Sequence, residues 1–216
     1  MQFNAGVQPF LHIMEDELKM WGEEKAGEKR KNRELVLPEV KKAIKADVGS
    51  ESVGHEAQDA GECTCKFMVD RAGMLGEIQE YAIALDGSDY EGVYRGEEQC
   101  RFNHLIEIKD GGGFYLPVYF FFPIWVQAKG LVYPVFIGSA PRLLEELHIL
   151  NESLKVDETT KLAKMPDFLM ADEEQIEDYE YAFGSEDNFW ERFTFVLLKK
   201  LAEKSIATGM PIIVDS

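Results

Sequence analysis

The sequence predicts an α+β protein, in which an antiparallel β-sheet is flanked by C-terminal helices and preceded by a helical N-terminal element. Three observations carry this. Apolar residues recur at helical spacing near both ends of the chain. Short runs rich in β-branched and aromatic residues, separated by glycine-containing breaks, fill the middle. Helices and strands come in blocks, without the alternation that a βαβ fold would show.

Within residues 8–48, Phe10, Met14, Leu18 and Trp21 fall on one helical stripe. A charged stretch over 23–34 follows, and Leu37, Val40 and Ile44 then mark a second amphipathic segment that Gly49 ends. Pro38 sits early enough in that segment to be tolerated. Residues 49–62, GSESVGHEAQDAGE, are small and polar and offer little to bury, which predicts a linker or mobile loop. The chain therefore divides into a helical element at 1–48, a linker at 49–62 and an α+β core domain at 63–216.

Strands are predicted over 63–71, 78–85, 102–109, 115–126 and 131–137, joined as hairpins through the breaks at 86–88, 110–113 and 127–130. Ser139 then reads as a helix N-cap with Pro141 in the first turn, and Leu143, Leu147, Leu150 and Leu154 form one buried face. A last helix is predicted from about 187 to 207, because Phe189, Phe193, Leu197 and Leu201 repeat every four residues. Gly209 stops it, Pro211 follows, and Ile212, Ile213 and Val214 are expected to return as an edge strand.

Composition narrows the function classes. The 216 residues include 23 Lys and Arg against 40 Asp and Glu, a formal net charge of −17. So acidic a chain lacks the basic footprint that binding to nucleic acid or to an anionic membrane requires. The longest apolar stretch, 114–126, is interrupted by Pro117 and Pro123 and is too short for a transmembrane helix. The N-terminus has neither the basic nor the apolar region of a signal peptide, and three cysteines cannot build a secreted disulfide framework. A cytoplasmic protein is the expectation.

The charge is uneven. Residues 141–216 hold 17 acids and 8 bases, over half of the excess, and residues 167–191 hold ten acids with no Lys or Arg. Aromatic residues interleave with those acids, and aromatics are enriched at interface centres. The expected function is therefore a non-catalytic acidic protein-binding module, of immunity type or an inhibitor, that docks a basic protein by electrostatic steering. Asp172, Glu173, Glu174, Glu177, Asp178 and Glu180 would steer, and Tyr179, Tyr181 or Trp190 would anchor. A solvated acidic face with its aromatics turned into the core accounts for the same pattern.

No nucleophile elbow, zincin or Walker motif occurs, so no catalytic residue is assigned and no cofactor is expected. The alternative to a docking module is a metal- or thiol-dependent protein or enzyme. If Cys63 and Cys65 share one strand face and Cys100 and His104 another, the four could converge on a zinc ion. Packed thiols are the simpler account. A homo-oligomer is a further expectation, with the 114–126 run facing a second subunit, although a core strand explains the same residues.

Overall fold

Among the described residues seven strands make one mixed sheet: β1 (Phe3–Val7), β2 (Cys65–Asp70), β3 (Gly113–Leu116), β4 (Ile124–Val126), β5 (Val135–Ser139), β6 (Phe168–Asp172) and β7 (Ile212–Asp215). Their spatial order is β4-β5-β3-β7-β1-β2-β6. The computed structural model of the chain describes residues 3–13, 15–49, 53–54, 62–71, 73–108, 112–157, 161, 163–172, 174–176, 179 and 188–215.

The α+β class holds, but the sheet is not purely antiparallel. β2 runs parallel to β6 and β3 parallel to β5, while β1–β2, β1–β7, β3–β7 and β4–β5 are antiparallel. Parallel neighbours need long crossovers, and here the intervening helices and β4 supply them in place of the expected hairpins.

The helices whose bounds fall within the described residues are α1 (Glu15–Val48), interrupted at Gly22, then α2 (Met74–Asp86), α3 (Tyr90–Tyr94), α4 (Asn103–Ile106), α5 (Ala140–Leu154) and α6 (Phe189–Thr208). Two predicted strands are thus helices. The 78–85 run belongs to α2, where Met74, Ile78 and Ala82 recur every four residues and are buried. Gly73 and Gly87, both at positive φ, bracket that helix. The 102–109 run contains α4 instead of a strand. Ser139 does cap α5, accepting a hydrogen bond from the Arg142 backbone N–H, and Gly209 ends α6 in the left-handed conformation.

β7 lies inside the sheet, between β3 and β1, and is not an edge strand. β1 is likewise internal, bridging β7 and β2, so residues 3–7 belong to the sheet and not to a helical element. In the predicted linker, Val53 is fully buried and Gly54 packs against Gly209, Pro117 and Pro211. Residues 50–52 and 55–61 lie outside the described residues.

Strand alternation splits the core in two. One face of the sheet, with Phe67, Tyr115, Phe136 and Val214, is covered by α2, α5 and α6. The other, with Phe114, Leu116, Ile137 and Ile213, is covered by Val36, Val40 and Ile44 of α1. Lys29 and Arg33 pin α1 through ion pairs to Asp215 at the end of β7, at 3.2 and 2.8 Å.

Candidate functional site

Only part of the predicted docking surface falls on described residues. Asp172 is exposed at the end of β6 and caps the 3-10 turn Glu174–Ile176, accepting from the Gln175 N–H at 2.9 Å. Glu174 opens that turn. Glu173, Glu177, Asp178, Glu180 and Tyr181 lie outside the described residues. The expected anchors point inward: Tyr179 packs edge-on against Phe193, and Trp190 packs against Phe189 and Phe193 with the Arg71 guanidinium 3.9 Å above its ring. Asp167, at the start of the base-free run, is not unpaired either. Lys200 and Lys204 reach it from α6 at 2.8 and 3.0 Å and hold its carboxyl below the usual range.

A second acidic surface, which no base-free run marks in the sequence, lies on α2, α3 and the loop to α4. Residues 77–98 contain seven acids and one base, Arg95. Asp89 caps α3, accepting from the Gly92 N–H at 2.8 Å, and Glu98 accepts from the Asp89 N–H at 2.8 Å. Glu91 pairs with Arg95 and Asp86 with Arg101, while Glu80 and Glu97 are exposed. Here the aromatics face out: Tyr90 and Tyr94 stack at 6.2 Å, with Tyr94 63% exposed. Trp125, 43% exposed, donates its indole N–H to Glu107 at 3.0 Å. Tyr90, Tyr94, Arg95, Glu98, Glu107 and Trp125 line a cleft of about 730 Å³ between α2, α3 and α4. Gln79 fixes its floor, donating to the carbonyls of Leu105 and Ile108 at 2.8 Å each.

α4 itself is held by a buried carboxyl. Glu146 of α5 accepts the backbone N–H groups of His104 and Leu105 at 3.1 and 2.9 Å. Burial nevertheless pushes its pKa up to about 8 against the pull of those two donors. The buried Tyr115 hydroxyl donates to the His104 carbonyl at 2.8 Å.

The Cys/His metal centre is not assembled. Both imidazole nitrogens of His104 are committed: Nδ1 accepts from the Ser139 N–H at 2.9 Å, so Nε2 carries the proton and donates to the Phe121 carbonyl at 3.2 Å. Burial lowers its pKa to about 4, which keeps it neutral. Cys63, Cys65 and Cys100 are buried cysteines outside any disulfide, and burial raises Cys65 to about 12 and Cys100 to about 11. Among the described residues, no three His, Cys, Asp or Glu side chains are gathered as a metal ion would need. Residue 104 was expected in a strand beside Cys100, and the helical turn of α4 turns its ring to β5 instead.

In the apolar run 114–126, Phe114, Leu116, Phe120 and Val126 are core, whereas Tyr119, Phe121, Phe122 and Trp125 are exposed. Among the described residues no helix is long and apolar enough to cross a membrane.

No curated protein and no solved structure matches the chain. One family model does, over residues 67–214, from β2 to β7, a span with 26 acids and 13 bases. Its description overturns the immunity-type or inhibitor reading, and lends nothing to a metal- or thiol-dependent protein. By this match the chain belongs to the family described as "Putative DNA-mimic protein".

Proposed function

We propose that this protein presents its carboxylates in place of DNA phosphates and so occupies the DNA-binding face of a DNA-binding protein. The family match carries the reading. The two-to-one excess of acids over bases in the matched span supports it, because such a partner meets duplex DNA through Lys and Arg contacts to phosphate. A surface that competes for those contacts needs negative charge more than it needs a pocket or a catalytic group. Complementary charge also speeds encounter, and the gain falls as salt rises.

Two stretches are proposed to supply the charge. One is the exposed set on α2, α3 and the following loop, Glu80, Glu91, Glu97 and Glu98. The other is the run of Asp172, Glu173, Glu174, Glu177, Asp178 and Glu180. A cytoplasmic location fits a partner that works on DNA.

The test is capture from the source organism's lysate with the immobilised protein, followed by elution with duplex DNA at constant salt. DNA-binding proteins should elute with the duplex, and the duplex should not bind the bare protein. Retention of the captured proteins against excess duplex would sink the reading. With a captured partner in hand, changing either acidic set to Asn and Gln should slow association about tenfold or more at low salt and less at high salt.

A further inference from the structure

We infer that the cleft between α2, α3 and α4 receives an arginine side chain of the DNA-binding partner; the inference rests on the DNA-mimic reading and names the contact that an acidic surface alone would lack. The cleft's volume of about 730 Å³ lies within the usual range for a small-ligand site. Three exposed rings line it, the stacked pair Tyr90 and Tyr94 and the indole of Trp125. Two carboxylates, Glu98 and Glu107, line it with them, and no base among the described residues pairs with either.

The sign of the site follows from counting its charges. Arg95 also lines the cleft, but Glu91 neutralises it at 2.7 Å. The amino end of α2 opens there without a side-chain cap and contributes roughly half a positive charge. Glu98 and Glu107 outweigh that by about a factor of four, so the cleft favours a cation. A flat guanidinium suits rings and carboxylates together, stacking on the first and forking to the second. An ammonium is more strongly hydrated and gains less from the rings.

A second observation points to an occupant. Gly76 lines the cleft inside α2, where glycine is less favourable than alanine because it gives up more backbone freedom on folding. Among the described residues nothing lies within 4 Å of the position its Cβ would take, so their packing does not explain it. An incoming side chain lying against the bare helix would.

The indole N–H of Trp125 offers a direct reporter. In ¹H–¹⁵N spectra of the whole protein, N-acetyl-arginine methylamide should shift that signal saturably, with a dissociation constant on the order of a millimolar for so small a probe. Gly76→Ala should keep the fold and weaken the binding about twofold, because the added Cβ stands where the incoming side chain lies. Gly76→Phe should fill the cleft and weaken binding by about fivefold or more, and Glu98→Gln, on an exposed side chain, should weaken it about threefold. The assignment is overturned if the arginine probe gives no saturable shift, if N-acetyl-norleucine methylamide shifts the signal equally, or if a folded Gly76→Phe binds as wild type does. Should wild type capture no protein that duplex DNA displaces, the DNA-mimic reading fails, and the partner named here with it. Should that capture be intact and unchanged in Gly76→Phe, the cleft assignment alone fails.

Discussion

The surface around β6 and the amino end of α6 and the surface over α2, α3 and α4 share a composition, acids interleaved with tyrosine and tryptophan, and differ in where the rings go. In the first, Trp190 and Tyr179 turn inward onto Phe193, and Asp167 is tied to two lysines of α6. In the second, Tyr90, Tyr94 and Trp125 turn outward beside Glu98 and Glu107, which pair with no base among the described residues. The physical reason is the element beneath. α6 is twenty residues long and apolar around most of its circumference, so any ring near its amino end finds core to join. α3 is a single short turn with no buried residue, and its rings stay at the surface.

The comparison is broken first by deleting rings. Trp190→Ala should lower the unfolding free energy by about 2 kcal/mol, while Trp125→Ala should cost about 1 kcal/mol or less, since one removes a partly buried ring packed on the core and the other a half-exposed ring. Urea unfolding followed by far-UV circular dichroism checks both, and equal losses would erase the distinction drawn here.

A smaller effect comes from pH and tests what holds α4 in place. The folded-state pKa of Glu146, about 8, stands above its ordinary carboxylate value, so the native state binds the extra proton. Its contribution is fully present below the ordinary carboxylate range and is lost as pH rises toward and through 8. His104, lowered to about 4, acts in the opposite sense: its contribution is present above about 6.5 and lost as pH falls toward 4. Urea midpoints should therefore decline between pH 6.5 and 9. Glu146→Gln should be less stable at pH 6 yet show no such decline, and a parallel decline in the variant would assign it to another group.

The smallest expected effect concerns Asp167. Its pKa is lowered by the two lysines, so its contribution is present at neutral pH and is lost as pH falls through the lowered value. The side chain is 41% exposed, and solvent screening holds Asp167→Asn to less than about 1 kcal/mol at pH 7. Thermal melts of variant and wild type should converge in acid, and a gap that persists there would mean packing rather than charge.

Much of the fold was legible where one local signal dominates. Ser139 and the leucines after it wrote α5, and Gly209 after four-residue repeats wrote the end of α6, because caps and amphipathic stripes act within a few residues. The misreadings share a cause. In residues 78–85 four-residue spacing and a β-branched, aromatic composition compete, and only packing against α6 decides for helix. β1 went unseen because FNAGV is five residues with a glycine, an unremarkable strand until β2 and β7 flank it. The acids of 77–98 were in plain view, but Arg95 among them hid the stretch from a search for unbroken charge.

The sequence by itself determined the α+β class, the end of α1, the start of α5, the end of α6 and an acidic surplus. Those properties are sums or short-range patterns, and they survive whatever the strands do. The tertiary structure alone decided that β3 and β5, like β2 and β6, run parallel, that His104 spends both nitrogens on backbone, and that the outward rings lie on α3 and β4 and not on α6. Each depends on which distant segments share a sheet face, and period-two alternation fixes that only once the register is set.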